Sequence, residues 1–158
     1  MKKIFVIGLA LGLFACQAPE SSTSESAAAP GFSLDLEGVV SDDYGMKSYV
    51  MAFLKNGPNR DQPDSVAKDL QKAHLANIRK MADEGKLVLA GPFMDNSDIK
   101  GIYLFNTIDV KEAAAWTATD PAIQAGRLTM DLKPWYGSAA LLFVNDIHAE
   151  ISSKSVVE

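Results

Sequence analysis

The sequence predicts an α+β fold, one antiparallel sheet carrying two helices on a single face. Three observations predict it. Four short apolar runs read as strands, two amphipathic stretches read as helices, and their order along the chain is β-α-β-β-α-β. At 158 residues, with 47% hydrophobic and 22% charged, the chain is one ordinary globular domain plus appended sequence. A net charge of −5 provides no basic footprint, so nucleic acid is excluded as a partner.

The elements follow in order. "SYVMAFLK" is a β-rich apolar run. "PDSVAKDLQKAHLANIRKMADEG" is a long amphipathic helix, opened by Pro63 and Asp64 and stopped by Gly85. At about 100° per residue Val66, Leu70, Ile78 and Met81 gather on one stripe, and His74 stands in the middle of it. "KLVLAGPF" and "GIYLFNT" are the second and third strands; "DVKEAAAWTAT" is a helix with Asp109 as its cap. "RLTMDLKPW" is the fourth strand, with Leu128, Met130 and Leu132 alternating against polar neighbours. This order suits a ferredoxin-like split βαβ layer.

The sheet's second face stays apolar in places, because Val50, Ala52, Leu54, Leu87 and Leu89 compete with Tyr49, Met51 and Phe53 for the two sides. A second copy of the chain is the natural cover, so a homodimer is expected. The domain proper spans residues 46–138. Beyond it, residues 139–158 place Phe143, Ile147 and Ile151 at helical spacing, which predicts a further helix packing on the domain or on a partner subunit.

The N-terminus sets the compartment. Lys2 and Lys3 form a basic start, Ile4 to Phe14 an apolar core short for a bilayer span, and Ala15 precedes Cys16, so residues 1–15 read as a secretory leader. Leu13-Phe14-Ala15-Cys16 resembles the bacterial lipobox, which implies cleavage before a lipidated Cys16 and a lipid membrane as partner. Cys16 is the only cysteine, so no intramolecular disulfide and no cysteine metal site can form. Residues 16–45 begin with a Ser, Ala, Pro and Glu-rich stretch too poor in hydrophobic side chains to fold alone, a solvated tether. Gln17 follows the cysteine where an inner-membrane retention signal has aspartate. The expected place is the cell envelope, at the outer membrane in preference to the inner.

The segments "AHLANIRKMADEGKLVLAGPF", "GIYLFNT", "AAAWTATDPAIQAGRL" and "LKPWYGSAAL" resemble the YciI-like (YCII-related) domain, over residues 47–141. The resemblance implies a ferredoxin-like dimeric α+β barrel and an active site built around a histidine and an aspartate, which fall here on His74 and Asp120. It implies no settled substrate.

The residues themselves leave each role open. His74 is either a core histidine with its ring nitrogens satisfied or a proton carrier; an unperturbed imidazole titrates at about 6.5, close to neutrality. Asp120 precedes Pro121, the pattern of an N-cap with proline at the first helical position, and one carboxylate oxygen can cap while the other accepts from imidazole. Arg127, at the start of the last strand, is a substrate anion anchor or a solvated strand-end side chain. Gly91-Pro92-Phe93 forms a cleft wall or simply ends a strand. His148 lies beside the C-terminal stripe and takes no role, and the scattered methionines are core filler.

No nucleophile accompanies the pair. The mature domain has no cysteine, no Gly-x-Ser-x-Gly elbow and no metal-ligand spacing, and the sequence calls for no cofactor. Two functions of different class remain. One is a membrane-anchored enzyme of lyase, isomerase or hydrolase type, transferring a proton to or from a small organic molecule. The other is a non-catalytic envelope module that binds a ligand or a protein.

Overall fold

In the computed structural model residues 35–154 are described; the leader, Cys16 and most of the tether lie outside them. The elements are β1 (Met46–Asn56), α1 (Asp64–Asp83), β2 (Leu87–Pro92), β3 (Ile99–Phe105), α2 (Val110–Thr117), α3 (Pro121–Gln124), β4 (Leu128–Ser138), a 3₁₀ helix (Ala139–Phe143) and α4 (Val144–Ile151). Among the described residues no helix is long and apolar enough to cross a membrane.

The four strands form one antiparallel sheet in the order β2-β3-β1-β4. This is the ferredoxin-like arrangement: each β-α-β unit is split by a strand from the other, as the element order requires. Val50, Ala52 and Leu54 of β1 face the helices with Leu87, Tyr103 and Phe105, and there they meet Met81 of α1 and Ala113 of α2. Leu128, Met130 and Leu132 of β4 join from the edge, as their alternation anticipated.

Local chemistry explains where the helices begin and end. Gly85, at φ +68°, is the left-handed residue after α1; its N–H donates to the Ala82 carbonyl and that of Lys86 to Met81. Asp109 caps α2 by accepting from the Lys111 N–H at 2.8 Å. The buried side of α1 is carried by His74, Asn77 and Met81, while Val66, placed on the stripe by periodicity, is 43% exposed. In the first turn only Ala67 is even partly buried.

Two features depart from the sequence reading. The register of β2 against β3 slips between Leu87 and Leu89, so Leu87 pairs with Phe105 on the helix face and Leu89 with Leu104 on the outer face. A bulge of this kind reverses the alternation, which is why Leu89 parts company with Leu87. On the outer face Tyr49, Val88 and Leu104 form a second cluster, packed by Met51, Leu89 and also Leu141 and Leu142. The chain's own C-terminal segment therefore covers one end of the face on which a second copy was expected. Phe143 is buried ahead of α4, whereas Ile147 and Ile151 are exposed, so the expected apolar stripe does not pack as one.

Candidate active site

Positions 74 and 120 are far apart in the chain and meet in the fold. His74 sits midway along α1, facing the sheet, and Asp120 is the N-cap of α3. His74 Nδ1 lies 2.6 Å from Asp120 Oδ2, and Asp120 Oδ1 accepts the Ala122 N–H at 2.8 Å. The carboxylate thus caps and orients at once. The Asp-Pro step explains why it can: proline at the first helical position needs no hydrogen bond of its own, which leaves the aspartate to serve the next amide.

Burial makes this contact consequential. Asp120 is completely buried and the His74 side chain is only 9% exposed. A carboxylate so placed requires partners, and it has two. The second ring nitrogen, Nε2, is 3.4 Å from the Tyr103 hydroxyl, and the two rings lie 21° from parallel with centroids 6.2 Å apart. Tyr103 is itself held on its far side by the edge of Phe105, centroid to centroid 5.8 Å. Burial, and after it the nearby charge of Asp120, push the Tyr103 phenol well above its ordinary range, so it is a protonated donor at all physiological pH.

A second contact lies beside the first. Asn77 Oδ1, one turn beyond His74, is 3.1 Å from the Thr119 hydroxyl, whose single proton has a closer acceptor in the Trp116 carbonyl at 2.7 Å. Both contacts join α1 to the turn between α2 and α3. Sequence reasoning passed over both Tyr103 and Asn77. Tyr103 did leave a signal, since it shares a face with Phe105 two residues on, and a buried tyrosine must find a partner for its O–H.

The remaining candidates are placed elsewhere. Arg127, between α3 and β4, donates to Gln62 Oε1 at 2.8 Å in the loop joining β1 to α1, and Arg60 of that loop donates to the Arg127 carbonyl. The guanidinium is thus engaged away from the imidazole. Gly91 and Pro92 end β2, and Phe93 closes the hairpin by donating to Lys100 at 2.9 Å. A hollow of about 850 Å³ opens between α1, β2 and α4, with His148 on its rim, and its lining includes neither His74 nor Asp120. Asn145 of α4 crosses toward it to donate to the Leu87 carbonyl at 2.8 Å, covering that point of the sheet edge. No cluster of three or more metal-ligating side chains occurs among the described residues.

In the neutral tautomer whose Nδ1–H donates to the carboxylate, Nε2 keeps the lone pair. That nitrogen can receive a proton, and the imidazolium so formed is stabilised by the carboxylate behind it. The arrangement suits proton transfer and holds no group suited to covalent attack.

Comparison with known proteins bears on the same region. Residues 49–136 match the model of the YCII-related domain. Protein YciI of Escherichia coli O6:H1 is 36% identical over 77 residues, 42% of this chain and 79% of that protein. Protein YciI of Shigella flexneri matches with the same 36% identity and coverage. Among solved structures, 5-chloro-2-hydroxyhydroquinone dehydrochlorinase from Burkholderia phenoliruptrix, in complex with 2,5-dihydroxybenzoquinone, is similar over 54% of this chain and 92% of its own, with 20% identity and a TM-score of 0.40. A likeness that distant carries no weight for the chemistry.

Proposed function

The chain belongs to the YCII-related domain family, and we propose that it is a membrane-anchored enzyme in which His74 exchanges a proton with a small organic molecule while Asp120 orients the ring. The observation that carries this reading is the 2.6 Å contact between an imidazole and a completely buried carboxylate, on a helix face that would otherwise take leucine. In the forward step a proton leaves the substrate for Nε2, and Nδ1–H stays on Asp120. Return of that proton to another atom of the substrate completes an isomerisation, and its delivery to a leaving group completes an elimination. Where the proton comes from a water molecule instead, the hydroxide bonds to the substrate and Nε2 passes the proton to the substrate or to the leaving group. Asp120 supplies orientation and a counter-charge; it needs no proton of its own.

The anchor rests on the Leu13-Phe14-Ala15-Cys16 stretch. Each buried methylene contributes about 0.8 kcal/mol, so several acyl chains hold a protein at the membrane where one chain does not. Cys16→Ser is expected to leave the protein unprocessed or released from the membrane fraction; normal processing and attachment in that variant argue against lipidation.

A second reading, a non-catalytic binding module of the envelope, draws support from the near enclosure of the His74 ring. One screen separates the two. The purified protein is tested against small acids, phenols and lactones beside His74→Ala and Asp120→Asn. The enzyme reading expects turnover that falls at least about 100-fold in His74→Ala, the ordinary contribution of a general acid or base. Turnover unaffected by both substitutions eliminates it, and binding without turnover supports the module.

A further inference from the structure

The two nitrogens of His74 do not face equivalent partners. Nδ1 is committed to Asp120 at 2.6 Å, and the only contact of Nε2 described is the Tyr103 hydroxyl at 3.4 Å. Tyr103 has little freedom to turn away, being 2% exposed, stacked on the imidazole and braced by Phe105. Its hydroxyl is a donor, for the reasons of burial and charge given above. The titratable groups seen to contact the ring are Asp120, the N-cap of α3, and Tyr103 from β3; Asn77, one turn along α1, is uncharged. A phenol can donate to Nε2 only when that nitrogen carries a lone pair.

We propose that Tyr103 is a positioning residue of this pair, whose hydroxyl donates to Nε2 and, with Asp120 on Nδ1, sets the orientation and the neutral tautomer of the His74 ring. The catalytic meaning rests on the function proposed above, but the hydrogen bond does not. When Nε2 takes a proton it becomes a donor, and the phenol must then present its oxygen instead of its hydrogen. In that state Tyr103 accepts from the imidazolium, with no change in its own protonation.

The test is ring-nitrogen NMR on the full chain carrying isotope-labelled histidine. Only two histidines are present, and His148, on the exposed α4, is the internal control. At a pH high enough to leave the ring neutral, the wild-type His74 spectrum is expected to show a protonated Nδ1 and a bare Nε2. In Tyr103→Phe the Nε2 resonance moves toward that of a free pyridine-type nitrogen, while His74 Nδ1 and both His148 nitrogens stay in place. Should Tyr103→Phe fail to fold, the wild-type chain grown with fluorotyrosine replaces it; the more acidic phenol donates more strongly and moves Nε2 in the opposite direction. An Nε2 resonance that ignores both changes, or a wild-type ring protonated on Nε2, overturns the proposal. A failed substrate screen leaves these shifts untouched, so the two ideas fail separately.

Discussion

At His74 the helix gives up an apolar contact to hold an imidazole, and the structure locates the compensation 46 positions away, at Asp120. The stability of the pair follows from its burial. His74→Leu restores the stripe but strands a fully buried carboxylate, and is expected to destabilise the fold by about 3 kcal/mol. Adding Asp120→Asn removes that charge while keeping a good N-cap for α3, so the double variant should be more stable than His74→Leu alone. A coupling energy on the order of 1–3 kcal/mol from denaturant midpoints is the expected result, and additive single effects contradict it. Pattern alone marked both residues and left each with two roles. It could not pair them, because capping and ring orientation look identical in the sequence Asp-Pro; the family resemblance named the pair, and the coordinates show one oxygen doing each task.

Among the elements, those with strong local signals were legible. The amphipathic period, Pro63 and Gly85 mark α1, and Asp109 marks α2, since each acts within a turn or two of itself. Asp120 and Pro121 likewise mark the start of α3, but its seat on the sheet, the slip in β2 and the 3₁₀ start of the C-terminal segment were not legible. Each depends on a neighbour supplied by another part of the chain. The seat of α3 shows this directly. Gly57, at the end of β1, lies so close to Gly126 that an added Cβ would stand 2.1 Å from its carbonyl oxygen. Both atoms belong to hydrogen-bonded backbone, which cannot yield as a side chain would. Gly57→Ala is therefore expected to lower stability by about 1–3 kcal/mol, the usual penalty for overpacking, and to displace the segment that presents Asp120. A thermal unfolding midpoint equal to that of the wild type would contradict this seating.

For the molecule as a whole, the open question is what covers the outer face of the sheet. The chain's own Leu141 and Leu142 cover one end, and Met51, Phe53 and Ile102 remain only partly buried. We propose that a second copy covers the rest, as the unfinished apolar surface suggests. Phe53→Glu places a charge in the middle of that surface and should shift the sedimenting species from dimer to monomer while the helical content is retained; a wild-type protein that sediments as a monomer disposes of the idea. By itself the sequence determined the class of fold, the order of its elements, the helix ends and the family, because these are written in periodicity, caps and motifs that act over a few residues. Only the tertiary structure decided that Tyr103 meets Nε2, that Asn77 meets Thr119 beside the pair, that Leu89 crosses to the outer face and that the C-terminal segment folds back over it. These are contacts between distant stretches, set by sheet register and by packing of surfaces against one another, and no local pattern carries that information.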